Sequence, residues 1–213
     1  MLVISPHLGD GVLALGSVLA ASPGSTVATV CTGTPPPDPS GQRPVCPSVE
    51  ALDRAVSAGL DEDAEALGVL SCKHLHLDFY DERYGLPRTP RLLSTVLADA
   101  VKSLPFCLPV APFGLGPPDH QMVSDCVLDA ADQLTLSRLW VYEDQTCPAT
   151  EEGPDAVSRR AAIERRGWHL GQLKPAERLG DAEVVAKAKY RSRQFLQSHG
   201  VDVVGAKVWL LRR

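Results

Sequence analysis

The chain has 213 residues, 22% of them charged, a formal net charge of −5 and a pI near 5.7; this balance argues against a nucleic-acid partner, which asks for a basic face. No stretch reaches the ~18 apolar residues of a membrane span, and no basic-plus-apolar leader precedes the first apolar run. The expectation is one domain over residues 1–213, with a core burying roughly 70% of the unfolded surface. The six cysteines (Cys31, Cys46, Cys72, Cys107, Cys126 and Cys147) are scattered without a Cys-x-x-Cys pair. They are expected to be reduced thiols in a cytoplasmic protein, with no zinc–cysteine site.

Leu2-Val3-Ile4 is a short apolar run that stops at Ser5-Pro6-His7-Leu8-Gly9-Asp10-Gly11, ahead of the helical Val12 to Ser17 segment. A strand ending there places His7 and Asp10 at its carboxyl end, facing the crevice where open α/β sheets bind ligands. A His nitrogen with a carboxylate oxygen is a normal pairing for zinc, and three protein ligands with one open position make a catalytic site. Gly9 and Gly11 either open space beside such a metal or serve a tight turn that needs positive φ.

Val27 to Cys31 reads as a second buried strand, followed by a Pro/Gly/Ser-rich connection over residues 33–48, expected to cover substrate. Val49 to Leu67 reads as a helix stopped by Gly68, with Asp61-Glu62-Asp63 on a solvated face. Lys73 to Phe79 is a third strand. His74 and His76 on it are expected to be partly exposed strand residues and not ligands. Asp81 after it is expected to face the crevice, and Arg83 and Tyr84 suit a hydroxyl-rich or acidic substrate, or simple surface exposure.

Pro90 to Ser103 reads as a helix and Phe106 to Ala111 as a strand. The turn Gly114-Leu115-Gly116 then leads into Pro117-Pro118-Asp119-His120 and a helix from Gln121 to Ala131. His120 therefore lies on the same rim as His7 and Asp10 and is the candidate third ligand. The competing reading makes all three loop polars and helix caps, with Asp10 and Asp119 as N-caps. Leu139 to Tyr142 and Lys207 to Leu210 are the remaining strands, and Ala182 to Gln197 is a late helix. Arg159-Arg160 and Arg165-Arg166 form a modest basic patch; His169 beside Trp168 lines a pocket or packs; His199 belongs to a helix C-terminus. Strands separated by helices imply an α/β fold, a mostly parallel sheet between two helical layers.

The Ser5–Gly11 motif resembles the Pro-His-Pro-Asp-Asp-Glu signature of the PIG-L/LmbE family of zinc-dependent N-deacetylases and amidases, and Pro117–His120 resembles that family's His-x-Asp-His. Leu75–Asp81, Trp140–Asp144 and Lys187–Ser192 add weaker matches in the right order. The resemblance implies a Rossmann-like three-layer fold and a zinc ion held by His7, Asp10 and His120, although Fe²⁺ suits the same ligands. It further implies removal of an acyl group from an amine on an amino-sugar or sugar-conjugated metabolite, in natural-product biosynthesis, with a homo-oligomer compatible with such a fold.

The departures fall on the proton-handling positions. Gly9 stands where the family has its general base, Gly11 where it has Glu, and Pro117 where it has the first His of the second motif. General acid–base help is worth ~10²–10⁴-fold, so turnover requires a substitute. Asp119 and Asp81 are the catalytic candidates, with Glu82 and His169 behind them; Asp81, Arg83 and Tyr84 are the substrate-binding candidates. The alternative is a metal-binding pseudoenzyme or partner subunit, or a zinc enzyme with altered chemistry such as acyl or amine transfer.

Overall fold

In a computed structural model, residues 1–36, 49–104, 106–143, 155–173, 182, 185–186, 189–190 and 207–213 are described. The elements run β1 (Leu2–Ser5), α1 (Asp10–Ala20), β2 (Thr26–Gly33), α2 (Val49–Val69), β3 (Lys73–Tyr80), a 3₁₀ turn (Glu82–Tyr84) and α3 (Pro90–Ser103). They continue β4 (Pro109–Pro112), α4 (Pro118–Gln133), β5 (Arg138–Tyr142), α5 (Ala156–Arg165), β6 (His169–Leu173) and β7 (Val208–Arg212). The seven strands form one sheet in the order β3-β2-β1-β4-β5-β7-β6. The first five are parallel, while β7 pairs antiparallel with both β5 and β6.

β1 and β2 are buried along their whole length, as strands covered on both faces must be. Alternation sends Leu2 and Ile4 to one face, against Leu93 and Leu97 of α3 and Val123 and Val127 of α4. Val3 goes to the other, against Val12, Leu15 and Leu19 of α1 and Ala66 and Leu67 of α2. Each such aliphatic side chain contributes about 1.5–3 kcal/mol on burial. This is the expected three-layer α/β arrangement. The strand order reverses at β1, whose neighbours are β2 on one side and β4 on the other. The carboxyl ends of β1 and β4 therefore open a crevice at the switch point.

Local chemistry sets several boundaries. Pro90 starts α3 at a position where its missing N–H costs nothing. Asp155 caps α5 by accepting from Ser158 N at 2.7 Å. α2 runs through Gly68 to Val69, and the stop comes from the turn that follows, in which Ser71 has φ 54°. The strand expected from Phe106 begins only at Pro109, because Cys107 N donates to Leu104 O in a turn and Phe106 is fully exposed with φ 71°.

α5 and β6 were not expected: α5 buries only Arg159 and Ile163 and so carries no apolar stripe. Most of the late helix (182–197), residues 37–48 of the Pro-rich connection, Asp144, His199, Cys46 and Cys147 lie outside the described residues. Cys31, Cys72, Cys107 and Cys126 are free thiols. Among the described residues no helix is long and apolar enough to cross a membrane.

Candidate metal centre

The turn after β1 is held by its own polar groups. Ser5 Oγ donates to His7 O at 2.7 Å and accepts from Gly11 N at 3.0 Å, while Asp10 Oδ2 accepts from His7 N at 3.0 Å. Gly9 takes φ +89° at the start of α1, a left-handed conformation that glycine adopts without a steric penalty. His120 arrives from the first turn of α4, behind Pro117 and Pro118. The cap positions of the two helices belong to Gly9 and Pro117, so Asp10 and Asp119 are not N-caps and the capping reading is set aside.

Three donor atoms converge. His7 Nδ1 lies 3.2 Å from His120 Nε2 and 3.4 Å from Asp10 Oδ2, and His120 Nε2 lies 3.3 Å from Asp10 Oδ2. Tetrahedral zinc bonded at ~2.0–2.1 Å to nitrogen and oxygen sets its ligand atoms about 3.3 Å apart. The triangle thus has the edge lengths of one face of a zinc tetrahedron, and the donor set fits a divalent cation. Asp10 and His120 are buried, whereas the His7 side chain is 15% exposed and faces the cavity.

The other edge of the His7 ring meets carboxylates. Nε2 lies 3.1 Å from Asp119 Oδ2 and 3.3 Å from Asp81 Oδ2. Asp119, fully buried, also accepts from Glu82 N at 3.0 Å and has Arg88 Nη2 at 3.1 Å from Oδ1. Asp81 is clamped by Arg83, whose Nε, Nη2 and backbone N donate at 2.8, 2.5 and 2.8 Å. Carboxylates on the far nitrogen of a ligating imidazole fix its tautomer and orientation.

Burial pushes His7 down, but hydrogen bonds that the protonated ring donates to Asp10, Asp119 and Asp81 outweigh it and hold the imidazole well above its ordinary value. Burial pushes the Asp81 carboxyl up, and Arg83 and His7 more than reverse that, holding it far below the usual carboxylate range. Burial pushes the Cys31 thiol up, against the opposing effect of His7.

The remaining candidates separate. The Arg83 side chain is 64% exposed at the cavity rim. Tyr84 is buried against Leu8, Val49, Leu52 and Val56, and its hydroxyl donates to Asp53 Oδ1 at 2.7 Å. Glu82 pairs with Arg88 at 2.6 Å. His169 sits on β6, four strand positions from β1, about 19 Å across a sheet of ~4.8 Å spacing, and does not belong to the site. His76 approaches Asp63 Oδ2 at 3.5 Å, and its ring stacks on the exposed His74.

Three residues at the site were missed in the sequence. Asp63, expected on a solvated face, is 1% exposed because Oδ1 accepts from Gly9 N at 3.1 Å and from the Tyr190 hydroxyl at 2.8 Å. The Tyr190 ring occupies the space beside Gly9, with Cε1 3.0 Å from where a Cβ at that position would stand. Cys31, at the carboxyl end of β2, lies beside His7. Cys31, Tyr190, His7, Asp81, Arg83 and Gly59 line a cavity of about 230 Å³. Its place at the carboxyl end of the strand next to β1 was the one available signal for Cys31.

No family model matches the chain, and no curated protein matches it. Solved structures do share its fold. A zinc-inhibited form of teicoplanin deacetylase superposes with a TM-score of 0.70 at 22% identity, covering 100% of this chain and 97% of that one. The N,N'-diacetylchitobiose deacetylase of Pyrococcus horikoshii gives 0.51 at 14% identity, covering 99% and 82%. The 4-carboxy-2-hydroxymuconate hydratase of Pseudomonas putida gives 0.50 at 16% identity, covering 99% and 94%. Deacetylation and hydration both occur on this architecture, so the fold alone does not set the reaction. The chain has the α/β fold of the LmbE-like deacetylases.

Proposed function

We propose that the protein is a metal-dependent hydrolase that removes an acyl group from an amine, acting as a single domain in the cytoplasm on an N-acylated amino sugar or sugar-conjugated metabolite of natural-product biosynthesis. The observation that carries this reading is the His7, Asp10 and His120 donor triangle at the rim of an open cavity. Zinc there would polarise the amide carbonyl and lower the pKa of its water to about 7; Fe²⁺ suits the same ligands.

The protein's own side chains supply the rest. Asp119 and Asp81 hold His7 Nε2 and so aim Nδ1 at the triangle. Arg83 at the rim offers a guanidinium to a hydroxyl or an anion on the substrate. Of the two catalytic candidates, Asp81 lines the cavity and would be the proton acceptor there, while Asp119 would act through His7. Held far below the usual range by Arg83 and His7, Asp81 is a weak base. Turnover is accordingly slow, by up to ~10²–10⁴-fold relative to a site with a well-matched base. Tyr84, behind the site, contributes by holding Leu8 and the turn.

Gly9 and Pro117 favour one competing reading, a metal-binding protein without turnover. The test is zinc stoichiometry on metal-free protein, followed by amine release from a panel of N-acylated amino sugars. One zinc per chain, with amine release lost in His120→Ala and Asp81→Asn, is the expected result. One zinc without release gives the binding-only reading, and no zinc at all ends both.

A further inference from the structure

We propose that Cys31 Sγ, His7 Nε2 and the carboxylate of Asp119 form a second cation seat, on the opposite edge of the His7 ring from the donor triangle, taking a thiophilic divalent cation such as zinc in excess or cadmium. The Asp119 oxygen already stands 3.1 Å from His7 Nε2, close to the separation between ligands of one tetrahedral ion, which is about 3.3 Å. Cys31 Sγ, the His7 nitrogen and the Asp119 oxygen all lie within 4.8 Å of one another. A thiolate bound at ~2.3 Å needs about 3.5 Å to its co-ligands, a closure of the order of one ångström.

Three elements of secondary structure fix these donors. Cys31 lies near the carboxyl end of β2, His7 follows β1, and Asp119 lies in the first turn of α4. Cys31 N donates to Pro6 O at 2.9 Å, which ties the cysteine to the His7 turn. The cavity that His7, Cys31 and Asp81 line gives a cation its way in. Arg88 pairs with Asp119 Oδ1 at 3.1 Å, while Oδ2 is the oxygen turned to His7.

Binding forms a metal–sulfur and a metal–nitrogen bond and releases two protons to solvent, one from the Cys31 thiol and one from His7 Nε2. No electron is transferred. The ring then bridges two cations, as an imidazole with both nitrogens ligating can. Soft-metal preference follows from the thiolate, so this seat takes cadmium and zinc ahead of magnesium or calcium.

Cobalt reports the two seats separately, because only a thiolate ligand gives the near-ultraviolet sulfur-to-cobalt charge-transfer band. Metal-free protein is titrated with Co²⁺. The first equivalent is expected to give visible d–d absorption without the band, and the band is expected to rise with the second equivalent and saturate there. Cys31→Ser and Cys31→Ala are expected to lose the band and keep the first phase. His120→Ala is expected to lose the first phase and keep the band, which separates this seat from the proposed hydrolytic centre. A wild-type titration without the band at any loading overturns the proposal, and so does a band of full intensity in either Cys31 variant.

Discussion

Tyr190 stands where a side chain at Gly9 would go: its Cε1 is 3.0 Å from the ideal Cβ position of a residue whose φ is +89°. The glycine and the tyrosine therefore depend on one another. Gly9→Ala is expected to destabilise the fold by about 1–2 kcal/mol through the left-handed backbone alone. Gly9→Asp meets less backbone resistance, since Asp tolerates that region better, but it meets the same ring. In a double-mutant cycle, Tyr190→Ala is expected to relieve Gly9→Asp, with a coupling of about 0.5 kcal/mol or more. Urea unfolding checks this, and additive effects would contradict it.

Asp63 joins the turn after β1, α2 and Tyr190 through one buried carboxylate. Asp63→Leu removes the acceptor that the Gly9 N–H and the Tyr190 hydroxyl share, at about 1–3 kcal/mol for each lost bond. Tyr190→Phe removes the bond to the Asp63 carboxylate and is expected to cost about 1.5–3 kcal/mol. Chemical denaturation should rank Asp63→Leu below Tyr190→Phe, and both below wild type.

Arg159 is a structural tie, not part of a basic surface. Its guanidinium donates to Phe113 O at 2.8 Å, Ser124 Oγ at 2.7 Å and Asp125 Oδ1 at 2.8 Å, and the residue is 2% exposed. Arg159→Met keeps the volume and leaves the Phe113 carbonyl and Ser124 hydroxyl without that donor, so a loss of about 1–3 kcal/mol is expected. Arg160→Met, half exposed and paired only with Glu164 and the Leu170 carbonyl, should stay within about 0.5 kcal/mol of wild type. Thermal melts of the two variants side by side make the comparison.

Burial pushes the Cys126 thiol up to about 11, against the opposing effect of the Ser94 hydroxyl. In the unfolded chain a thiol ionises near ~8.5. Between those values the unfolded state binds fewer protons than the folded one, so stability falls as pH rises through that window. The urea midpoint of wild type is expected to drop from pH 7.5 to pH 10, and Cys126→Ala to drop less. An equal fall in both would assign the effect elsewhere.

Zinc bound to the folded state and not to the unfolded one raises stability by about 4 kcal/mol at a thousandfold excess over Kd. Chelator-treated protein should therefore melt lower than zinc-loaded protein, and Asp10→Asn should narrow the gap. A melting temperature indifferent to zinc would remove the triangle as a tight site.

The strands other than β6, α3 and the meeting of His7, Asp10 and His120 were legible because each rests on short-range signals. Those signals are an apolar run, a proline at a helix start, or a motif at a strand end. Asp63, Tyr190 and Cys31 were not. Asp63 reads as one of three acids on the solvated face of a helix, and its burial is decided by a glycine 54 positions away in the chain. Tyr190 reaches the site from 127 positions beyond Asp63. Cys31 becomes a neighbour of His7 only once β1 and β2 pair in register. α5 escaped notice because one of its two inward residues, Arg159, is an arginine, and a periodicity search counts arginine as outward.

Among the described residues β3 ends the sheet, and an edge strand would ordinarily template the addition of another chain. It carries Lys73 and His74 exposed, a left-handed Asp78 at φ 55° and two slips of register against β2. Charge and irregularity of this kind deter strand-by-strand growth. The β3 edge is thus built against self-association by extension of the sheet past it.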